Sequence, residues 1–280
     1  MPRSLDSSDF RGVRVVLEPS DFALGDDIPD PPPSDLVDKR TWLSIMTLPD
    51  DVAIRTSSYH GTALEKLHEL WGALVEAVAI DNLDALDDAL LDAADDFQGA
   101  VFNALCGFYR LSFTSLRSVV ELVTIGTEAH ISGNFSAFEK WRAGQLTITF
   151  DAACSGINRS SRVQTLRGHL RAKLSDSLFD PKQPSQTGGW ARRLYSALSN
   201  YSHSRPGHTD ADARQSNGPI YVPKTFVQTV GMHIEVAAFA FIMVKLARPG
   251  FALPEGGEEA FLPGHPAVPQ IAREVWARLQ

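Results

Sequence analysis

The chain has 280 residues, 44% of them hydrophobic and 21% charged, with a formal net charge of −8. That make-up is that of a soluble globular protein, with room for one large domain or two small ones around a sizeable core. Its two cysteines, Cys106 and Cys154, exclude a disulfide framework. The longest uninterrupted apolar run, Val236–Val244, is far short of the ~20 residues a membrane-crossing helix needs.

The opening MPRSLDSSDF has no apolar core segment of a signal peptide, so a cytoplasmic protein that does not engage a membrane is expected. Charge is unevenly spread: residues 1–100 carry 21 acids and 7 bases, whereas residues 152–209 carry nine bases and two acids. Such polarity suits an anionic partner at the basic part, or attraction of the two parts within one fold.

Residues 1–57 read as an irregular acidic arm. GDDIPDPPPSD, with three consecutive prolines among aspartates, opposes both helix and sheet pairing. Val13–Leu17 and Trp42–Leu48 are expected as short strands in and just after its proline-rich part. Thr56, Ser57 and Ser58 offer N-caps, and Leu64, Leu67, Trp71, Leu74, Val75 and Val78 recur at helical spacing. They predict the first helix over about 59–80. The next, 81–97, keeps Leu83, Leu86, Leu90, Ala94 and Phe97 on one face and carries seven aspartates elsewhere, with Asp81 placed to cap it. The alternating Asp-Gly pattern of a calcium loop is missing, which favours a solvated acidic face.

The run Val101–Ile131 reads as one long central helix, apolar over most of its circumference. Arg110, Arg117, Glu121 and Glu128 fall within about 40° of one another on it and form a single polar stripe. Either this stripe is the one face left in water, with Arg117 and Glu121 an ordinary i, i+4 pair, or it lines an internal cleft in which that pair must be satisfied.

Beyond Gly133 and Asn134, Leu146–Phe150 alternates as a strand or an extended connector would. Residues 158–175 form a basic amphipathic helix, with Val163, Leu166, Leu170 and Leu174 on one face and Arg159, Arg162, Arg167, Arg171 and Lys173 around it. It is a phosphate-binding surface or a basic face docked on the acidic helix 81–97. After the loop 180–188, helix 189–203 places Trp190, Leu194, Leu198 and Tyr201 on one side and Arg192, Ser196, Ser199 and His203 on the other. A long polar loop follows Pro206-Gly207, then an apolar helix 225–247, a Pro/Gly-rich connector and a short helix 270–279.

The expected architecture is mostly α: an antiparallel helical bundle in a core domain of residues 58–248. The irregular arm precedes it, and residues 249–280 follow as connector and C-terminal helix.

No phosphate-binding glycine loop, dinucleotide fingerprint, nucleophile elbow or spaced Cys/His zinc set occurs. His203 and His208 lack a third ligand in the pattern, so no metal or cofactor is expected. His203 suits acid/base work, with Arg192, Arg193 and Arg205 to hold a phosphate and Asn200, Arg167 and Arg171 as further substrate contacts. A histidine at a helix C-terminus also serves as a plain dipole partner.

LYSALSNYSHSRPG, residues 194–207, closes a helix some way after the striped one and resembles the motif region of HEPN-type all-helical proteins of bacterial toxin and defence systems. In that family an arginine four to six residues from a histidine cleaves RNA without metal, usually at a dimer interface. The resemblance covers about 100–245 and implies His203 as the histidine. The arginine position would be Ser196, Ala197 or Leu198, and the nearest upstream arginine is Arg193. Two functions therefore stand side by side. One is an RNA-directed protein, in its active form a metal-independent endoribonuclease. The other is a non-catalytic helical interaction or regulatory module with a protein partner or a second copy of itself.

Overall fold

The computed structural model describes residues 39–79, 84–171, 176–181, 188–203, 219–262 and 266–280. The expected strand Val13–Leu17, the cap Asp81, and the loop that carries Arg205 and His208 lie outside them. The fold is mostly α, a bundle of helices. In chain order these are α1 (Lys39–Glu76), α2 (Ala85–Leu105), α3 (Tyr109–Ser132), α4 (Phe135–Arg142), α5 (Phe150–Asn158), α6 (Ser161–Arg171), α7 (Trp190–Ser202), α8 (Pro223–Ala247) and α9 (Gln270–Leu279). A 3-10 turn, Gly257–Phe261, precedes the last.

α1 starts some twenty residues before the helix expected from spacing, and Trp42–Leu48 is helical rather than a strand. A short run rich in β-branched and aromatic residues does not separate the two states by itself. What decides it is that Ile45, Leu48, Val52, Thr56 and Tyr59 keep a helical period, with Val52, Thr56 and Tyr59 buried against the body. The helix bends at His60, whose φ and ψ are −132° and 25°, immediately before Gly61.

The central apolar run is also divided. Its first five residues complete α2, and the chain turns at Cys106–Phe108 before α3 begins. Gly107 makes that turn possible: its φ is +79°, and a Cβ there would lie 2.8 Å from the carbonyl oxygen of Ile220. Asp84 rather than Asp81 caps α2, accepting from the N–H groups of Leu86 and Asp87 while the Asp87 carboxylate takes the Asp84 N–H.

α2 and α3 run antiparallel from that turn. Ala89 faces Gly126 so closely that a Cβ on Gly126 would sit 2.5 Å from the Ala89 Cβ, and one turn further His130 meets Asp84. Against this hairpin lies α8, apolar on all sides. Val236, Phe239, Phe241 and Met243 are wholly buried, and so is His233, which meets Phe97 of α2 edge-on. Among the described residues α8 alone is long and apolar enough to cross a membrane by length and composition, but its apolar surface is used inside the protein.

α4 and α5 were not foreseen. Each is short and capped by its own polar residue, Asn134 and Thr149 respectively. The stretch before Phe150 is an irregular connector and Phe150 opens α5. The basic helix α6 packs on α9 and α5. Among the described residues, the arginines that reach the aspartates at the start of α2 come from elsewhere. Arg142 of α4 pairs with Asp88 and Asp92, and Arg248 at the end of α8 pairs with Asp84 and Asp87.

Candidate functional site

The polar stripe of α3 faces α7, which runs antiparallel to it. Arg110 Nε donates to the carbonyl of Tyr201 at 3.0 Å, satisfying one of the acceptors left open at the C-terminal end of α7. About two turns deeper, Arg117 pairs with Glu121 (Nη1–Oε2 3.2 Å), donates from Nε to Ser199 Oγ (3.2 Å) and from Nη2 to the Tyr195 hydroxyl, and lies 4.6 Å above the Tyr195 ring. Tyr195 in turn donates to Glu121 Oε1 at 3.3 Å and stacks on Phe150 with ring centroids 4.0 Å apart. Both charged side chains of the pair are three-quarters buried. The stripe is thus neither a face left in water nor a row of unsatisfied charges, but a polar seam closed by α7.

Burial and the adjacent Glu121 push the Tyr195 phenol up to about 12, against the smaller opposing pull of Arg117. It is a neutral hydrogen-bond relay between a cation and an anion. Glu128, at the far end of the stripe, sits against Gly156 of α5, where a Cβ would come within 2.7 Å of its carboxylate. Burial raises its pKa, with Arg159 acting in the opposite sense.

The expected catalytic set is not brought together. His203 is the exposed C-cap of α7, its backbone N–H bonded to the Ser199 carbonyl. Arg192 lies in the first turn of the same helix, about 16 Å along the axis, and is only 8% exposed. Its guanidinium is held by Asp151 (Nε–Oδ1 2.6 Å), by the carbonyls of Phe179, Asp180 and Asp151 and by Ser155 Oγ. Arg193 forms a two-pronged pair with Asp176 (2.9 and 2.5 Å) and donates to the carbonyl of Gly188 at 2.7 Å. These two arginines pin the N-terminal end of α7 to α5 and to residues 176–180. Helical projection placed Arg192 on the polar side of α7; it could not show that another segment covers that side.

Of the remaining expected contacts, Arg167 Nη2 binds Asp180 Oδ1 at 2.7 Å. Arg162 Nη1 points to the Leu246 carbonyl at 3.4 Å. Asn200 is partly buried in the last turn of α7, the side chain of Arg171 lies outside the described residues, and so does Arg205. Among the described residues, Arg110 reaches the carbonyl of Tyr201, two residues before His203. Sequence order gave no sign of that, because the contact joins residues 91 apart.

A second polar cluster, also unanticipated, ties three helix ends together. Asp87, fully buried, receives Arg248 on both oxygens (2.7 and 2.6 Å) and the N–H groups of Ala79 and Asp84. Asp84 also accepts Arg248 at 3.0 Å and lies 2.7 Å from His130 Nδ1. Backbone hydrogen bonds, His130 and Arg248 together hold the Asp84 carboxyl below its ordinary range despite its burial. Among the described residues no three His, Cys, Asp or Glu side chains converge on a metal position. No family model, curated protein or solved structure matches this chain.

Proposed function

We propose that the chain is a non-catalytic helical interaction or regulatory module that engages a protein partner. The observation that carries this reading is where the positive charge goes. Arg167, Arg192 and Arg193, which a phosphate-binding surface would need in solution, are spent on Asp180, Asp151 and Asp176 of the same chain. Neutralised in this way, they offer a nucleic acid few counterions to release. The stripe of α3 is likewise satisfied by Glu121, Tyr195 and Ser199, which suits a rigid scaffold more than a site that must reorganise around a substrate.

A second reading keeps the HEPN-like resemblance and makes the protein RNA-directed, with His203 as acid/base and Arg110 in place of the missing motif arginine. It is favoured by one observation, the bond from Arg110 to the carbonyl two residues before an exposed His203. The two readings separate in a single experiment on purified protein in EDTA, with RNA binding followed from low to high salt and cleavage products analysed. The module reading expects intact RNA and little salt-dependent binding. Cyclic-phosphate products that disappear in His203→Ala, with binding that weakens steeply as salt rises, overturn it in favour of the second.

A further inference from the structure

The bend at His60 divides α1 into two segments with different roles. Residues 61–76 belong to the core, with Leu67, Leu70 and Leu74 wholly buried. Residues 41–59 bury Val52, Thr56 and Tyr59 but leave Ile45, Met46, Leu48 and Ile54 between 41% and 59% exposed. Toward its C-terminal end this segment meets the body around Tyr221 and at the α2–α3 turn. The Tyr59 ring stacks on Tyr221 with centroids 5.4 Å apart and planes within 5°. The Tyr221 hydroxyl lies 2.9 Å from His60 Nε2, and the His60 ring lies 4.6 Å from that of Phe226. Val52 closes on the α2–α3 turn, where its Cγ1 is 3.0 Å from the position a Cβ on Gly107 would take. Next to Gly107, Cys106 is 4% exposed, and its thiol is pushed up by burial and by the carboxylate of Asp50 above it.

We propose that residues 41–59 form an arm that opens about the bend at His60 while the body stays folded, held shut by the Tyr59–His60–Tyr221 clasp, and that its opening uncovers the α2–α3 turn at Cys106. The two segments of α1 are unequally anchored. Segments with few buried apolar contacts open at a lower free energy than the core they cover, and the bend interrupts the helical continuity that would otherwise couple the two halves. Burial pushes His60 down to about 4, so at neutral pH the ring is uncharged and its Nε2 shares a neutral hydrogen bond with the Tyr221 hydroxyl. Opening adds the α2–α3 turn to the surface on offer, alongside the apolar side chains the arm already presents. The inference does not depend on whether the α3–α7 seam binds protein or RNA.

The two free cysteines make it testable on the intact chain. Cys106 reports the arm, while Cys154, wholly buried in the core cluster, reports the body. Iodoacetamide labelling under native conditions, with the modified cysteine assigned by peptide mass spectrometry, should modify Cys106 well before Cys154 and with a weaker dependence on added urea. Tyr221→Phe removes the clasp's hydroxyl and keeps its ring. It should speed Cys106 labelling about three- to tenfold, the effect of one hydrogen bond, and leave Cys154 unchanged. The proposal is overturned if Cys106 follows Cys154 in rate and urea dependence, or if Tyr221→Phe accelerates both alike or neither.

Discussion

Arg248→Ala should be among the most damaging single substitutions in the molecule, although the side chain touches no part of the α3–α7 seam. Asp87 has no solvent exposure, and two of its four close partners are Arg248 nitrogens at 2.7 and 2.6 Å. Once they are removed, a buried carboxylate is left with the N–H groups of Ala79 and Asp84 alone. Breaking a buried pair on one side costs about 3–5 kcal/mol, because the remaining charge is neither solvated nor compensated. That is a large part of the roughly 5–15 kcal/mol that holds a typical domain together. Urea denaturation at neutral pH, followed by far-ultraviolet circular dichroism, should register the loss as a lower midpoint with an unchanged slope. The double variant Asp87→Asn, Arg248→Met abolishes the stranded charge but keeps an acceptor for only one of the two N–H groups, which bond different oxygens of Asp87, so it should recover part of the loss and not all of it. A loss below about 1 kcal/mol for Arg248→Ala would refute the reasoning, since it would mean that the Asp87 charge is stabilised without its arginine.

Burial pushes His233 and His60 from 6.5 down to about 4. A base whose folded-state pKa is lowered favours unfolding once protonated, so the stability it contributes is complete above pH 6.5 and is lost as pH falls toward 4. Each histidine accounts for about 3 kcal/mol of that loss. Denaturation midpoints at pH 7.5 and 4.5 should therefore lie closer together in His233→Met than in the wild type, and equal spacing would count against the assignment. Gly107→Ala should lower the melting temperature, because it combines a positive φ with backbone oxygen 2.8 Å from the new methyl group; the strain is worth about 1–3 kcal/mol, and an unaltered melting curve would contradict it. A double-mutant cycle on Arg117→Met and Tyr195→Phe should give a coupling energy of about 1 kcal/mol or more, where additivity would mean that the Arg117–Tyr195 hydrogen bond contributes nothing.

Element existence was legible wherever the period was long and clean: the leucines of 64–78, the basic helix, the helix ending at His203 and the apolar helix before Pro249 all stand close to where spacing puts them. The boundary between the second and the central helix depends on a tertiary fact. Val101–Ile131 has no proline and little polar punctuation, and only the approach of Ile220 explains why Gly107 must turn the chain there. The same holds for the stripe. Its four residues and their alignment were visible, but the side they face was not, since the choice between water and cleft depends on α7, whose contacts lie some 80 residues away. Arg192 and Arg193 show the limit most sharply. Their residue type and proximity to His203 suggested phosphate, yet Asp151 and Asp176, distant in sequence and adjacent in space, take their charge.

The close approach of Ala89 to Gly126 bears on the order in which the molecule assembles. The hairpin of α2 and α3 closes through a turn of three residues, so its contacts cost little chain entropy, whereas docking Tyr195 against Arg117 must first close a loop of 78 residues. Loop closure therefore predicts a stripe complete on the hairpin before α7 covers it. During that interval Arg117 and Glu121 have each other but not Tyr195, and an i, i+4 pair of this kind is the arrangement that can wait in water without penalty. Substitutions at Ala89 should slow refolding, while Tyr195→Phe should leave the refolding rate alone and hasten unfolding.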